Sequence, residues 1–252
     1  MKIVGEGANR VIALHGWLGG SECWGRVPDL IDRSSFTFAF IDYRGYGERF
    51  DQEGDFNLSE IAADTIAAAD KLGWQEFSVV GHSMGGVAMQ QVWANYPDRV
   101  LSLVGIAPVP PTGVGMDTVT RQLFERACTD ADARRAIVHF GTGNRQTDDW
   151  VQNTIREGVA QRSELALQKY LRAWADADLT SILSGRRDIP ILALFGEFDG
   201  ALKEDSQSSI WKKSYDRVKT QTIKNAGHYP MDESPLFLVE KIEFFLKKYE
   251  EM

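Results

Sequence analysis

The hydrophobic positions of this chain fall into short apolar runs that are separated by longer segments with helical spacing. The runs cover residues 10–14, 36–41, 77–80, 100–106, 189–195 and 218–223. Runs of this length, rich in β-branched and aromatic residues, are typical of strands that are buried on both faces of a parallel sheet. The pattern therefore predicts a mostly parallel sheet.

Helical patterns occupy the segments between these runs. Asn57 is a suitable N-cap for a helix that reaches about Leu72, with Glu60 as its capping-box partner. Two further helices are predicted over residues 84–95 and 234–249, the latter with an apolar stripe at helical spacing. Because strands and helices alternate, we expect an α/β fold whose twisted sheet carries helices on both faces.

One segment departs from this alternation. Residues 111–185 show helical patterns, over 118–128, 149–157 and 163–175, and no convincing strand. We interpret it as a helical insertion into a core domain made of residues 1–110 and 186–252. The insertion is either structural padding or a lid. A lid is favoured, because the segment directly follows a strand end and carries several aromatic residues.

Composition and charge narrow the classes of partner. The 252 residues are 43% hydrophobic and 25% charged, as in an ordinary soluble domain. The formal net charge of -8 and the lack of a long basic run argue against nucleic acid. No apolar run approaches the roughly 20 residues that span a membrane. We therefore expect neither nucleic acid nor membrane as a partner.

The cysteines and the N-terminal residues indicate the cellular compartment of the protein. Cys23 and Cys128 match no metal-ligand spacing and no disulfide framework, which is typical of reduced thiols inside a cell. Residues 1–7 contain no apolar segment of a signal peptide. We therefore expect a cytoplasmic protein that has no metal.

The clearest chemical signal is the pentapeptide GHSMG at residues 81–85, which fits the pattern G-x-S-x-G. It lies where a strand pattern becomes a helix pattern. Two interpretations are open: an ordinary tight turn, or a sharp turn that exposes Ser83 as a nucleophile. The preceding strand and the following helix are the context that the second interpretation requires.

A serine nucleophile needs a base, and the base needs an orienting acid. The candidate bases are His15, His82, His139 and His228. His82 should point away from the serine along the turn, and His139 lies in the helical insertion. His15 and His228 follow strand ends, where open α/β sheets place their sites.

The order of these features resembles the α/β-hydrolase superfamily, and within it the serine-nucleophile branch of carboxylesterases and lipases with a helical lid. The resemblance covers nearly the whole chain, apart from a short N-terminus in which the first strands are missing or reduced. It rests on five motifs in matching order: HG at 15–16, DYRGYG at 42–47, GHSMGG at 81–86, GEFD at 196–199 and GH at 227–228.

The resemblance implies a catalytic triad of Ser83, Asp199 and His228. Glu197 is a rival for the acid, although Asp199 takes the position that the family uses. The resemblance also implies an oxyanion hole made by the backbone N–H groups of Trp17 and Met84. His15 would shape that loop without transferring a proton, and the 42–47 motif would be structural.

The implied reaction is hydrolysis of small to medium carboxylic esters through an acyl-enzyme, without a metal or an organic cofactor. Carbon–carbon bond hydrolysis of vinylogous diketones, thioester or lactone hydrolysis and perhydrolysis are compatible with the same triad. A non-catalytic ligand receptor is a further alternative. Ser83 excludes the relatives that use an aspartate nucleophile. Besides Trp17 and Met84, the residues expected to line the substrate pocket are Trp24, Val109, Phe140, Trp150 and Trp174.

Overall fold

A twisted sheet organises the chain. The computed structural model describes residues 1–159, 162–185 and 187–250, without the side chains of 157–159 and 249–250. The described residues form a seven-stranded sheet in the order β1-β3-β2-β4-β5-β6-β7, in which only β1, antiparallel to β3, departs from the parallel direction. The strands are β1 Lys2–Gly5, β2 Asn9–Leu14, β3 Phe36–Ile41, β4 Phe77–His82, β5 Val100–Ile106, β6 Ile191–Gly196 and β7 Val218–Ile223.

The predicted mostly parallel sheet is confirmed. Each predicted run contains a strand, and the bounds of β3, β5 and β7 coincide with those predicted. The prediction missed β1, a four-residue edge strand in which only Val4 is buried. An edge strand needs few apolar side chains, so it leaves little pattern in the sequence.

The helices lie between the strands as the alternating pattern predicts. Their bounds are α1 Val27–Leu30, α2 Leu58–Lys71, α3 Met84–Asn95, α4 Thr118–Ala127, α5 Ala131–Gly141, α6 Asp148–Val159, α7 Glu164–Ala175, α8 Glu204–Ser214, α9 Pro230–Glu233 and α10 Pro235–Glu250. The prediction missed α5 and α8, and also the four-residue helices α1 and α9. In α8 only Trp211 is buried, so the helix shows no apolar stripe.

Alternate residues of the strands face two separate cores. In β4, Val79 packs with residues of α2 and α3 on one face, whereas Val80 packs with residues of α1 and α10 on the other. This is the period-two pattern of a sheet that is covered on both sides. The carboxyl ends of the parallel strands consequently meet at one edge of the sheet.

Between β5 and β6 the described residues form the helices α4 to α7. Buried residues of this segment, among them Tyr170 and Leu171 of α7, belong to the same core as α2 and α3. The predicted boundary at residue 186 lies outside the described residues. The role of this segment as a lid stays a prediction.

The N-terminus of α2 shows a modified capping box. Asn57 Oδ1 accepts a hydrogen bond from the Glu60 N–H at 2.9 Å, as predicted. The Glu60 carboxylate, however, accepts from the N–H groups of Asp55 (3.1 Å) and Phe56 (3.0 Å) and not from that of Asn57. The positive φ of Phe56, 53°, brings its N–H towards the helix end.

We expect Asn57→Ala to lower the free energy of unfolding by about 1 kcal/mol, because an N–H of α2 loses its acceptor. Urea denaturation followed by circular dichroism measures this change. Asn57→Asp retains an acceptor oxygen and is the matched control, so it should keep most of the stability. Equal losses in the two variants would contradict a capping role.

Candidate active site

Ser83 occupies a sharp turn between β4 and α3. Its backbone has φ 53° and ψ -112°, a region that side chains rarely adopt. A Cβ on Gly81 would lie 2.1 Å from Gly85 O, and a Cβ on Gly85 would lie 2.1 Å from Leu14 O. Glycine is therefore required at position 81 for β4 and α3 to approach so closely, and at position 85 for α3 to approach the end of β2.

Hydrogen bonds hold this turn against the neighbouring strand. The Ser83 N–H donates to Ile106 O at 2.9 Å, at the end of β5. The Ser83 carbonyl accepts from Gly86 N–H at 2.8 Å and from Val109 N–H at 3.1 Å. The strained conformation is thus fixed from three directions, and the Ser83 side chain borders a large cavity.

Asp199 and His228 meet at the ends of the next two strands. The distance between His228 Nδ1 and Asp199 Oδ2 is 2.7 Å, and Asp199 is fully buried. The other oxygen of Asp199 accepts from the N–H groups of Ala201 (2.9 Å) and Leu202 (3.1 Å). Backbone donors therefore fix the carboxylate, and the carboxylate orients the imidazole ring.

The electrostatic environment favours a protonated His228. Burial opposes the charged form, but the charge of Asp199, its hydrogen bond and the charge of Glu233 outweigh burial and raise the pKa of His228. The Glu233 carboxylate also accepts from the N–H groups of Gly227 (2.9 Å) and Tyr229 (3.1 Å). It braces the loop on either side of His228, a role that no sequence motif indicated.

Ser83 and His228 line the same cavity. No hydrogen bond joins the Ser83 hydroxyl to the His228 ring among the side chains that the structure describes. Catalytic hydrogen bonds of this kind are often long in unliganded sites and shorten when a substrate binds. The arrangement places a hydroxyl, an imidazole and a buried carboxylate at one edge of the sheet.

Glu197, the rival for the acid, is engaged elsewhere. Its carboxylate pairs with Lys224 Nζ at 3.0 Å and accepts from the Asn225 N–H at 3.1 Å. The backbone hydrogen bond and the lysine lower the pKa of Glu197. Glu197 therefore contacts residues that follow β7, and Asp199 is the carboxylate that contacts the His228 ring.

The other histidines occupy different environments. His82 Nε2 lies 2.8 Å from the His228 carbonyl oxygen, and burial together with the His228 charge lowers the pKa of His82 to about 3. Burial also lowers the pKa of His15, to about 4. His139 lies in α5 and pairs with Asp148 at 2.9 Å. His15 and His82 are thus held neutral at pH 7.

Buried side chains hold the carbonyl groups of the loop after β2. Tyr43 Oη donates to the His15 carbonyl at 2.9 Å, and Tyr46 Oη donates to the Trp17 carbonyl at 3.0 Å. The Leu18 carbonyl accepts from Arg162. Among the described residues no hydrogen bond from the Trp17 N–H is found, and Met84, the first residue of α3, has no intrahelical acceptor for its N–H.

Residues of the helical segment hold this loop as well. Trp17 Nε1 donates to Leu167 O of α7 at 2.9 Å. The 42–47 motif supports the loop from the other side, because Asp42 accepts from Ser21 N–H at 2.7 Å and from Ser21 Oγ at 2.9 Å. The sequence analysis did not assign Tyr46 its hydrogen bond to Trp17, although Tyr46 belongs to that motif. No sequence pattern indicated the hydrogen bond between Trp17 and Leu167.

The cavity beside Ser83 has a volume of about 790 Å³. Five residues were predicted to line the pocket without a role in the oxyanion hole. Four of them line this cavity: Val109, Phe140, Trp150 and Trp174. Trp17 lines it too. The helical segment adds an apolar wall from Leu123, Phe124 and Ile137. The wall suits the hydrocarbon part of a ligand.

Two of the expected pocket residues do not line the cavity: Met84, which is buried in the core with α2, and Trp24. Trp24 is 1% exposed and packs on Phe40, with ring centroids 5.5 Å apart, in the core on the α10 side of the sheet. Its chain neighbours Cys23 and Gly25 line the cavity instead. A turn presents adjacent residues to different sides, so an aromatic residue there need not face the ligand.

No cluster of metal-ligating side chains was found among the described residues. In the same part of the chain, no helix is long and apolar enough to cross a bilayer.

Comparison with known proteins identifies the family. The family model described as "alpha/beta hydrolase fold" matches residues 9–235. The chain therefore belongs to the alpha/beta hydrolase family, and it is a hydrolase.

Two relatives carry the name of the same esterase. The chain is 27% identical over 245 residues to a pimeloyl-[acyl-carrier protein] methyl ester esterase of Cronobacter sakazakii, covering 92% of this chain and 90% of that protein. A protein of the same name from Serratia marcescens is 25% identical over 256 residues, covering 96% of both.

Solved structures confirm the fold. A bromoperoxidase from Bacillus anthracis superposes with a TM-score of 0.85 at 19% identity, covering 98% of this chain and 94% of that chain. An esterase from Exiguobacterium antarcticum superposes with a TM-score of 0.84 at 17% identity, with the same coverage.

We expect the histidines to titrate in a definite order. His228 should have a pKa above its ordinary value of 6.5, whereas His82 and His15 stay neutral near pH 7. Asp199→Asn should lower the pKa of His228, because burial then acts without the opposing carboxylate charge. Titration of the imidazole ¹⁵N resonances measures each pKa, with Glu197→Gln as control. An unchanged His228 pKa in Asp199→Asn would contradict this account.

Proposed function

We propose that this hydrolase is a serine esterase in which Ser83 is the nucleophile, His228 the base and Asp199 the orienting acid. The observation that carries the proposal is the 2.7 Å contact between His228 and the buried Asp199 beside the strained Ser83 turn. The esterase names of the relatives support an ester as the substrate.

In the proposed reaction, Ser83 Oγ attacks the acyl carbonyl while His228 Nε2 takes its proton. Asp199 stabilises the imidazolium that forms, in keeping with the raised pKa of His228. The imidazolium then protonates the leaving alcohol, and water cleaves the acyl-enzyme with His228 again as base. The products are a carboxylic acid and an alcohol.

The proposed oxyanion hole consists of the N–H groups of Trp17 and Met84. The hydrogen bonds that fix the carbonyls of His15 and Trp17 on the buried side chains of Tyr43 and Tyr46 support this assignment. A pair of preorganised donors stabilises the negative oxygen without reorganisation, and each donor contributes about 3 kcal/mol to lowering the barrier.

The substrate is proposed to be a small or medium carboxylic ester, bound with its hydrocarbon part against the apolar wall. The volume of about 790 Å³ supports this size. Residues 111–185 act as the lid on the core of residues 1–110 and 186–252 in this proposal. Lining residues from α4, α5 and α6, such as Phe124, Ile137 and Trp150, support the assignment. A cytoplasmic location stays a prediction from the cysteines.

We expect wild-type protein to hydrolyse short p-nitrophenyl esters and to form a covalent adduct with a fluorophosphonate. Ser83→Ala should lower kcat by at least about 10³-fold and abolish the adduct, because no other group supplies the nucleophile. Release of p-nitrophenol and intact-protein mass spectrometry measure the two effects. A wild-type protein that releases no product and forms no adduct would overturn the proposal.

The pH dependence follows from the raised pKa of His228. The base must be neutral, so kcat/KM should rise with pH through a pKa above 6.5. In Asp199→Asn the rise should move to lower pH, while kcat falls by about 10⁴-fold because the ring loses its orienting charge. Glu197→Gln is the matched control and should change neither value. The reverse pattern would assign the acid to Glu197.

A further inference from the structure

Arg162, which precedes α7, is a buried cation with unused donors. It is 9% exposed. Its Nη2 donates to the Leu18 carbonyl, whereas Nε and Nη1 are buried and have no hydrogen-bond partner. Within the part of the chain that the structure describes, no carboxylate forms a salt bridge with this guanidinium. Buried charges are normally paired, so these donors require an explanation.

Arg134 gives an internal comparison, because it is also buried and lies close by. Its Nε donates to Ala127 O at 2.6 Å and its Nη2 donates to Cys128 O at 2.7 Å. These carbonyls are at the end of α4, where the helix dipole favours a positive charge. Arg134 is therefore accommodated by the fold itself, and Arg162 is not.

The groups that act most strongly on Arg162 are weak acids. Burial is the main influence and lowers the pKa of Arg162, while the phenols of Tyr46 and Tyr229 and the thiol of Cys23 oppose it. Burial also raises the pKa of both phenols, so they are uncharged at pH 7. The Tyr46 ring, with its centroid 5.8 Å from the guanidinium carbon, offers only a weak cation–π contact.

Arg162 borders a small cavity next to the main one. The small cavity has a volume of about 10 Å³, about the space for one water-sized oxygen atom. Leu18, Thr154 and Tyr229 line both cavities, so the two cavities adjoin. Leu18 follows Trp17 and Tyr229 follows His228, so the guanidinium lies just behind the proposed reactive centre.

We propose that Arg162 receives the carboxylate of an ester substrate that also carries a free acid group. The substrate class is then the half-esters of dicarboxylic acids, an inference that rests on the proposed esterase function. One carboxylate oxygen fits the small cavity and pairs with the unused donors. Arg162 also holds Leu18, so a bound carboxylate is oriented relative to the proposed oxyanion loop.

The test compares matched esters. Mono-p-nitrophenyl esters of straight-chain dicarboxylic acids, from succinate to suberate, are each measured beside the p-nitrophenyl ester of the monocarboxylic acid with the same carbon number. The ratio of the two kcat/KM values reports recognition of the charge. Any effect of Arg162 on the oxyanion loop is common to both esters and cancels in the ratio.

At one chain length or more, the wild-type ratio should favour the charged ester by roughly ten- to hundredfold, mainly through KM. Arg162→Met should remove the preference, and Arg162→Lys should retain part of it. Arg172→Met changes an exposed arginine of α7 and is the matched control, so it should keep the full preference. A wild-type ratio near one at every length, or a preference that survives in Arg162→Met, would overturn the proposal.

Binding measurements separate this inference from the esterase proposal. If wild-type protein cleaves neither ester, the esterase proposal fails. Free dicarboxylates should nevertheless raise the melting temperature more than monocarboxylates, and Arg162→Met should abolish the difference. No difference in the wild type would overturn the anion site, and so would stabilisation by inorganic phosphate exceeding that by every dicarboxylate.

If Arg162→Met fails to fold, the wild-type ratio and Arg162→Lys decide: a lysine variant with the full wild-type preference counts against the site.

Discussion

The strained backbone at Ser83 is the constraint on which the site depends. A residue with a side chain holds a positive φ only when its surroundings over-determine that conformation. Here Gly81 lets β4 approach the start of α3, Gly85 lets α3 approach the end of β2, and hydrogen bonds from the β5 side hold the turn. The parallel sheet supplies the rigid support, since β4 is central and buried on both faces.

The histidines show how one small region holds chemically similar groups in different states. His82 and His228 have ring centroids 5.1 Å apart, yet burial holds His82 neutral while Asp199 and Glu233 favour the charged form of His228. A positive charge on His82 would repel the His228 imidazolium that the proposed mechanism requires. The position of the two carboxylates therefore decides which histidine is suited to accept a proton.

The helical segment between β5 and β6 lines the cavity and also holds the loop after β2. Leu167 of α7 and Arg162 before it hold Trp17 and Leu18, so the loop after β2 is held by residues distant in sequence. Changes in that segment would thus alter both the shape of the pocket and the geometry of the loop. The buried guanidinium of Arg162 ties the inferred recognition of an anionic group to the same loop.

Local patterns in the sequence predicted most of the architecture. Apolar runs located the six strands of the parallel part, Asn57 marked the start of α2, and the G-x-S-x-G pattern indicated the turn at Ser83. These features depend on period, capping and backbone sterics, all of which act over a few residues. The same reasoning missed β1 and α8, which bury too few side chains to show a period.

Only the tertiary structure decided which distant side chains meet. The choice between Asp199 and Glu197 as the partner of His228 depended on how the β6–β7 connection turns. The burial of Trp24 away from the cavity depended on the same kind of turn geometry. The sequence by itself determined most of the elements and the order of the proposed reactive residues, because these are local properties. Packing between residues far apart in the chain decided the contacts, since no local pattern encodes them.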